Sequence, residues 1–404
     1  MKIALLTTGD EILQGIITDT NSAWLSQRCY DLGHEVVWHA SVGDDEAAMM
    51  QALRMASSLA EVLIVTGGLG PTQDDITLEV AAKTFSKPLS LSDELLKEIE
   101  AFFHKRGRVM ASSNKKQAYL PEGAKPLHNE LGTAPGVHIQ ADGVHVFLLS
   151  GVPAEMKQMF DDSVAKWLEE KASAKPSDKT LRCYGIGESD LQEKLEGLNL
   201  HDCRLSFRVK FPEILLKVVS FSGNAEAVDK VSAEITKRLG AFVYGKGEED
   251  LVQLVAKQLT QQKKTLALAE SCTGGYLSHL LTNIPGASAY LNRTLVVYAN
   301  QAKHDELGIS EKLLKEKGAV SKEVALEMAN ALRKKSHADY ALSLTGIAGP
   351  AGGANEKPLG TVYVALSSVS ETLCEHFVFH TTRTSFKERA AWAALNILKN
   401  SLDK

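Results

Sequence analysis

The chain has 404 residues, more than one hydrophobic core usually serves, so two or three domains are expected. Hydrophobic residues make up 44% and charged residues 24%, which argues against long disordered tails. The formal net charge of −5 excludes the overall basic surface of a general nucleic-acid-binding protein. The cysteines form no Cys-x-x-Cys pair, which argues against a zinc knuckle or a disulfide framework.

The apolar runs bear on where the protein resides. The N-terminus turns polar by Thr7, too soon for a signal peptide. No apolar run reaches the roughly 18 residues of a membrane span. Together with the scattered cysteines, these features favour a cytoplasmic protein with no membrane partner.

Residues 1–170 alternate strand-like and helical patterns. The strand-like runs are KIALLTT, EVVWHASVG, EVLIVTGG and HVFLLSG. This alternation predicts an α/β domain with a parallel sheet covered by helices. Ligands of such domains bind at the carboxyl edge of the strands, so that edge is where a site is expected.

Two polar segments, EEKASAKPSDKT and GKGEED, predict linkers that divide the rest of the chain. Between them, residues 178–246 follow a βαββαβ order, which predicts a small split sheet. We interpret this middle domain as a spacer and oligomerisation element. Residues 251–404 form a longer C-terminal α/β unit.

Three turns of the N-terminal domain each follow an apolar strand, with the sequences TGDE, TGGLGPTQDD and SGVPAE. Three glycines of the second turn would let backbone N–H groups approach a phosphate closely; they are Gly67, Gly68 and Gly70. Asp74 and Asp75 could hold a divalent cation against that phosphate, or one of them could cap the next helix. For Asp10 and Glu11 a place at the start of a helix is favoured.

The 251–404 segment offers the groups that amide hydrolysis needs: a nucleophile, a base, oxyanion donors and a handle on the substrate. Ser288 lies in a PGASA turn ahead of the strand that ends at Tyr298, and Lys303 follows that strand. Burial lowers the pKa of a lysine, so Lys303 could serve as a base toward Ser288. Arg383 could hold a phosphate or carboxylate.

The AESCTGG segment predicts a buried strand, a glycine turn and a helix. The hydroxyls of Ser271 and Thr273 and the N–H groups around Gly274 would then face an anion, with a phosphate-bearing substrate as the first interpretation. Ser271 is the rival nucleophile, but it lacks the Gly-x-Ser-x-Gly pattern, so phosphate contact or helix capping is favoured for it. We interpret Cys272 as a buried structural thiol.

Motifs in both outer domains resemble those of the CinA (competence/damage-inducible protein A) family. They are TGGLGPTQDD, DTN at 19–21, GTAPG at 132–136, AESCTGG, VVYANQAK, GAVS at 318–321, SLTGIAGPAGG and KPLGTVYVAL. The resemblance implies a molybdopterin-binding-like domain over 1–170, a KH-like or ferredoxin-like domain over 178–246, and a nicotinamide-nucleotide amidase domain over 251–404.

The resemblance also implies a bifunctional hydrolase of pyridine-nucleotide salvage. The C-terminal domain would convert nicotinamide mononucleotide and water to nicotinate mononucleotide and ammonia. The N-terminal domain would split ADP-ribose into AMP and ribose 5-phosphate with a divalent metal ion. These two nucleotides are the expected partners, and a homodimer is expected.

Site residues follow from the same resemblance. In the N-terminal domain the resemblance implies that the substrate is bound by Gly67, Gly68, Gly70, Thr72, Asn129 and Thr133. It implies that the metal ion is bound by Asp74, Asp75, Asp10 and Glu11. In the C-terminal domain it implies a cofactor-free active site of Ser288, Tyr298, Lys303 and Arg383, bordered by Ser271, Thr273, Gly274 and Gly346. This chain reads YANQAK where family members often have YSNEAK, and TTR where they often have GDR. These departures spare the chemical groups, so an active amidase is expected.

Two other functions stay open. The N-terminal domain could bind a molybdopterin-type cofactor, or the chain could be a competence or DNA-repair adaptor without catalysis. No marked charge run supports an adaptor, and nucleic acid is an unlikely partner. Basic residues on adjacent strands of the middle domain keep a nucleic-acid role as a minor alternative; they are Arg204, Arg208, Lys210 and Lys217.

Overall fold

The computed structural model describes residues 1–172, 174–354 and 357–404. Ser173 in the first polar segment, and Asn355 and Glu356 in the glycine-rich loop near the C-terminus, lie outside these ranges. The chain divides into two units, Met1–Ser177 with Val219–Ala225, and Asp178–Val218 with Glu226–Lys404. In the described ranges, no helix has both the length and the apolar character needed to cross a membrane.

The N-terminal domain alternates strands and helices, as predicted. Its strands are β1 (Lys2–Thr8), β2 (Glu35–Val42), β3 (Val62–Thr66), β4 (Leu89–Leu91), β5 (Tyr119–Pro121), β6 (Lys125–Leu127), β7 (Gly136–Ala141) and β8 (Val144–Leu149). Its helices are α1 (Asp10–Leu13), α2 (Thr20–Asp31), α3 (Glu46–Leu59), α4 (Thr77–Thr84), α5 (Asp93–Lys105), α6 (Pro153–Met159) and α7 (Ala165–Glu169). A 3₁₀ helix spans Ser112–Ala118, and a π-helical turn at Phe160–Val164 joins α6 to α7.

A six-stranded sheet in the order β2-β1-β3-β8-β7-β6 forms the centre of this domain. The first four strands are parallel, and β7 and β6 add to the edge in antiparallel fashion. Asp142 and Gly143 both have positive φ, which lets a two-residue hairpin turn β7 back into β8. The parallel core is the predicted one, and its carboxyl edge carries all three predicted turns.

The middle domain has the predicted βαββαβ order. It consists of β9 (Ser177–Cys183), α8 (Glu188–Lys194), β10 (Arg204–Lys210), β11 (Glu213–Ser220), α9 (Ala225–Leu239) and β12 (Val243–Lys246). The sheet order is β10-β11-β9-β12. A buried ion pair stabilises it, because Arg182 Nη1 donates to the Glu213 carboxylate at 2.8 and 2.9 Å.

The C-terminal domain begins with α10 (Leu251–Gln261). Its strands are β13 (Leu266–Glu270), β14 (Leu291–Val296), β15 (Tyr340–Gly346), β16 (Thr361–Ser367) and β17 (Thr372–Val378). The further helices are α11 (Tyr276–Thr282), α12 (Asn300–Leu307), α13 (Glu311–Lys317), α14 (Lys322–Ser336) and α15 (Arg383–Leu402), and a short 3₁₀ helix spans Ala287–Ala289.

The five strands of this domain lie in the order β14-β13-β15-β16-β17. The first three are parallel and the last two antiparallel. Alternate residues of β13 face opposite cores: Leu266 and Leu268 pack with α10 and α15, whereas Ala267 and Ala269 pack with α14. The carboxyl ends of β13, β14 and β15 therefore share one edge of the sheet.

Candidate functional sites

A cavity of about 560 Å³ opens at the carboxyl edge of the N-terminal sheet. Residues from all three predicted turns line it, including Glu11, Gly67, Gly68, Gly70, Asp74, Asp75 and Ser150, and Thr133 lines it from a fourth loop. Asn129, Thr72 and Asp10 are not among its lining residues. The sequence therefore predicted the place of this cavity and most of its wall.

The glycine turn is required by close backbone packing. Gly67 has φ +106° and Gly68 φ +65°, both in the region that favours glycine. A Cβ on Gly67 would lie 2.4 Å from the Thr8 carbonyl oxygen, and one on Gly70 would lie 2.4 Å from Asp75 Oδ2. A side chain at Gly67 would therefore clash with the Thr8 backbone, and one at Gly70 with the Asp75 carboxylate.

Thr72 supports Asp75 rather than the cavity itself. Its backbone N–H donates to Asp75 Oδ2 at 2.9 Å, and its hydroxyl donates to the same oxygen. A hydrogen bond from Thr72 also lowers the pKa of Asp74. Behind the turn, Lys116 Nζ donates to the carbonyl oxygens of Thr72 and Asp75 at 2.8 and 2.6 Å. The turn thus holds the Asp75 carboxylate in place.

Asn129 and Asp10 make structural hydrogen bonds. Asn129 is buried, donates to the Ala134 carbonyl at 2.8 Å and to Glu155 Oε2 at 2.9 Å, and thereby fixes the loop that carries Thr133. Asp10 Oδ1 accepts from the Asp44 N–H at 3.1 Å. Both residues shape the cavity through neighbours that line it.

Three lining carboxylates were not among the predicted site residues: Asp19, Asp44 and Glu155. Burial pushes the pKa of Asp19 upward, but hydrogen bonds from Ser22, Thr7 and His39 outweigh it and hold the pKa below its usual value. Burial, together with the charges of nearby acidic residues, raises the pKa of Asp44. The signal for Asp19 was available, since an aspartate just before a helical pattern is an N-cap.

A divalent cation would find a partial set of ligands here. Among the described residues, no three His, Cys, Asp or Glu side chains converge closely enough to hold a metal ion. Mg²⁺ commonly binds through one or two carboxylates plus substrate phosphates and water. Asp74 and Asp75 suit that arrangement, in which the substrate completes the ligand set.

In the C-terminal domain, Lys303 is buried among acceptors. Only 1% of its surface is exposed, and burial lowers its pKa. Its Nζ lies 2.9 Å from the Val297 carbonyl, 3.1 Å from the Tyr298 carbonyl and 3.0 Å from Ser271 Oγ. A neutral amine has two N–H donors and one lone pair, which these two carbonyls and one hydroxyl satisfy completely.

The predicted pairing of Lys303 with Ser288 is wrong. Ser288 is exposed in the 3₁₀ helix before β14, whereas Lys303 follows the far end of that strand. The six residues of β14 span about 20 Å, so the two side chains lie at opposite edges of the sheet. Ser271, the rival in the sequence, forms the pair instead.

Glu270 shapes the loop that carries Ser271, and sequence reasoning missed it. Its carboxylate is fully buried and accepts from the N–H groups of Gly275, Leu277 and Ser278 at 3.1, 3.1 and 2.7 Å. The signal was a glutamate that ends an apolar strand directly before a glycine turn. A carboxylate already occupies the start of α11, so a phosphate is not expected there.

The N–H groups of the glycine turn are therefore not free, contrary to the sequence-based expectation. That of Gly275 donates to Glu270, and that of Gly274 donates to the Ser271 carbonyl at 3.1 Å. The Thr273 hydroxyl, by contrast, is buried and has no hydrogen-bond partner among the described residues. It remains available as a donor two residues after Ser271.

Arg383 and Tyr298 form a second pair near Lys303 and Ser271, which we call the dyad. Arg383 Nη2 donates to the Tyr298 hydroxyl at 2.9 Å, and Nη1 donates to the Gly349 carbonyl at 2.8 Å. One helical turn further on, Lys387 lies 5.9 Å from the centre of the Tyr276 ring, and its Nζ is 3.9 Å from where a Cβ on Gly274 would stand. Lys387 was missed, although its spacing of four from Arg383 places both on one face of α15.

Tight packing around Gly346 explains why this position is a glycine. A Cβ there would lie 2.6 Å from the Thr361 carbonyl oxygen and 3.1 Å from the Phe386 ring. The residue ends β15, where it pairs with Val362 of β16. Its predicted substrate contact stays a prediction.

Comparison with known proteins matches all three domains. The protein-family model described as "Probable molybdopterin binding domain" matches residues 4–170. The family model of the damage-inducible protein CinA KH domain matches residues 178–245, and the family model of the CinA C-terminal domain matches residues 248–402. The chain thus combines a molybdopterin-binding-type domain, a KH-type domain and a CinA C-terminal domain.

Whole-chain relatives agree with this composition. A CinA-like protein from Syntrophotalea carbinolica is 40% identical, over 100% of this chain and 98% of its own length. Another from Dictyoglomus thermophilum is 39% identical, over 100% and 99%. A crystal structure of competence/damage inducible protein CihA from Agrobacterium tumefaciens is 36% identical and covers 39% of this chain and 98% of its own, with a TM-score of 0.37. The chain belongs to the CinA family.

Proposed function

We propose that the C-terminal domain is an amidase that converts nicotinamide mononucleotide and water to nicotinate mononucleotide and ammonia. The observation that carries the proposal is the buried Lys303 amine 3.0 Å from the Ser271 hydroxyl. Burial lowers the pKa of Lys303 and so favours the neutral amine, which can accept the serine proton as in other hydrolases with a Ser–Lys pair. The choice of substrate rests on the resemblance of AESCTGG, VVYANQAK and SLTGIAGPAGG to motifs of nicotinamide-nucleotide amidases, which supports the proposal.

The reaction then uses groups already in place. Lys303 takes the proton of Ser271 Oγ, which attacks the carboxamide carbon. The C–N bond breaks and the leaving nitrogen takes the proton from Lys303, so ammonia departs and an acyl group remains on Ser271. A water molecule then gives Lys303 a proton and attacks the acyl carbon, which releases nicotinate mononucleotide and restores the serine. The Thr273 hydroxyl is the candidate donor to the oxyanion.

The phosphate of the nucleotide has two candidate cations. Arg383 lies beside Tyr298, and Lys387 lies beside the Ser271 loop. A guanidinium matches phosphate geometry with two parallel donors, and the nearby ammonium adds a point charge. Both side chains project from the first turns of α15, outside the buried dyad.

Ammonia release from the purified full-length protein tests this function. We expect release from nicotinamide mononucleotide and much slower release from nicotinamide riboside, which lacks the phosphate. Equal rates on both substrates would remove the proposed role of Arg383 and Lys387. No release from folded protein would mean that the dyad is not an amidase for this nucleotide and would favour an adaptor role.

For the N-terminal domain, we propose hydrolysis of ADP-ribose to AMP and ribose 5-phosphate. The supporting observation is the cavity in which a glycine turn that can approach phosphate meets a wall of carboxylates. A pyrophosphate would be repelled by those carboxylates unless a cation lay between them. A divalent ion held by Asp74, Asp75 and the substrate would supply that charge and a water of lowered pKa.

Product analysis with and without added Mg²⁺ or Mn²⁺ tests this second activity. Formation of AMP and ribose 5-phosphate only with a divalent ion is the expected result. Binding of a pterin nucleotide without any cleavage of ADP-ribose would favour the cofactor-binding alternative. The homodimer stays a prediction, testable by light scattering.

A further inference from the structure

A second cavity of the N-terminal domain shares a wall with the first. It has a volume of about 280 Å³, lies between α5 and residues 126–135, and is lined by Thr133, which also lines the first cavity. Asn129 fixes the shared wall, since its amide donates to Ala134 on the loop and to Glu155 in the first cavity. The second cavity, which we name the α5 groove, therefore lies next to the first, with Thr133 between them.

The two cavities differ in chemistry. The first has six lining carboxylates, whereas α5 lines the groove with Leu95, Ile99 and Phe102, spaced so that all three lie on one helix face. The Arg106 guanidinium lies 3.5 Å from the centre of the Phe102 ring and packs on it. An apolar slot with an aromatic wall suits the flat face of a nucleobase and disfavours a charged phosphate.

The polar groups of the groove add a preference among bases. Glu94 and Glu98 lie on the same helix face as the apolar residues and also line the groove. An ionised carboxylate accepts hydrogen bonds and cannot donate them. Glu94 and Glu98 therefore favour a base edge that carries an amino group over one that carries a carbonyl. Adenine presents such an amino group, and hypoxanthine presents a carbonyl in its place.

We propose that the α5 groove binds the adenine base of a dinucleotide whose pyrophosphate lies in the first cavity. The identity of that dinucleotide rests on the proposed hydrolysis of ADP-ribose. Base binding can be measured separately, because AMP carries the base and ribose 5-phosphate does not.

Isothermal titration of the full-length protein with AMP, IMP and ribose 5-phosphate, all in the presence of Mg²⁺, tests the groove. Phe102→Ala should weaken AMP binding by about tenfold or more, the effect of losing one stacking partner, and leave ribose 5-phosphate unchanged. Phe102→Trp, which keeps an aromatic face, should retain AMP binding and shows that the site tolerates substitution. AMP should bind wild type more tightly than IMP.

Phe103→Ala is the packing control, since the Phe103 ring contacts the Phe102 ring edge-on at 6.2 Å and packs around Leu95 and Ile99 but does not line the groove. It should weaken AMP binding less than Phe102→Ala, and an equal loss would mean that packing of α5, and not stacking on Phe102, accounts for the effect. AMP bound in the C-terminal domain would not respond to Phe102→Ala, so the difference from wild type isolates the groove. No AMP binding by wild type, or equal binding by wild type and Phe102→Ala, overturns the proposal.

The two proposals for this domain can fail separately. If AMP binding depends on Phe102 but ADP-ribose is not cleaved, the base site stands and the activity falls. If wild type and Phe102→Ala cleave ADP-ribose with the same KM, the activity stands and the base site falls.

Discussion

The two candidate sites differ in how complete they are within the protein. In the C-terminal domain, Lys303 and Ser271 already lie 3.0 Å apart, and the remaining acceptors around the lysine are backbone carbonyls. In the N-terminal domain, the described residues offer scattered carboxylates and no preformed metal cage. The first site needs only its substrate, whereas the second needs a cation and a substrate that together complete it.

This difference follows from local structure. Lys303 lies in the first half of α12, and its amine is bonded to groups that follow β13 and β14, so its position beside Ser271 is set by the sheet. Asp74 and Asp75 lie on an open turn that is positioned by Thr72 and Lys116. The two activities should therefore respond oppositely to loss of a buried amine and to loss of metal.

Loss of the amine should have the largest effect. Lys303→Met keeps an apolar stem of similar length but removes the base, so ammonia release should fall by about 10³-fold or more. Lys303→Arg should fail equally, because a guanidinium stays protonated. Cleavage of ADP-ribose by the same proteins is the control and should be unchanged. Retention of ammonia release by Lys303→Met would show that another group is the base.

Loss of the cation should act on the other domain alone. Excess chelator should stop ADP-ribose cleavage and leave ammonia release at its full rate, because the amidase dyad uses no metal. Asp75→Asn keeps the oxygen that accepts from Thr72 but removes the charge, and it should lower ADP-ribose cleavage by about 100-fold. Full ADP-ribose cleavage in chelator would contradict the need for a cation.

Loss of the phosphate handle should be smaller. Arg383→Ala should raise the KM for nicotinamide mononucleotide by about tenfold or more with a lesser change in kcat, since one charged hydrogen bond is lost outside the dyad. The slow reaction of nicotinamide riboside serves as the control and should not change. A fall in kcat alone would instead place Arg383 among the reacting groups.

The smallest expected effect is on stability. Burial lowers the pKa of Lys303 below the ordinary 10.5. At pH values between the lowered pKa of the folded protein and 10.5, the unfolded chain therefore binds more protons than the folded one. The free energy of unfolding should then rise with pH in that window relative to Lys303→Met. The amidase kcat/KM should rise over the same range as the neutral amine forms. Denaturant unfolding at several pH values checks the first expectation, and a slope equal to that of Lys303→Met would contradict it.

The sequence led to the wrong serine for a physical reason. Ser288 is near Lys303 along the chain, but the strand between them is extended and carries them apart. Ser271 is 32 positions from Lys303, yet β13 and β14 are parallel and pair from Leu266 with Leu291 to Glu270 with Val296, with one register shift, so the residues after both strands meet. Only the strand pairing, which one sequence does not specify, decides between the two.

The fold and the N-terminal turns were more predictable. Alternating strands and helices imply a parallel sheet, and a parallel sheet places its loops at one edge, so Gly67, Asp74 and Thr133 could be assigned to one cavity. Glu270 and Asn129 were harder, because their roles are hydrogen bonds to backbone groups that only the folded turn brings within reach. Buried polar side chains of this kind stabilise loops without leaving a periodic pattern.

The central claim is that Ser271, and not Ser288, is the nucleophile that Lys303 activates. Its most direct test is ammonia release from nicotinamide mononucleotide by wild type, Ser271→Ala and Ser288→Ala, each confirmed as folded by circular dichroism. The structure predicts a loss of about 10⁴-fold or more for Ser271→Ala and a near-normal rate for Ser288→Ala. A near-normal rate for Ser271→Ala with loss of activity in Ser288→Ala would contradict it.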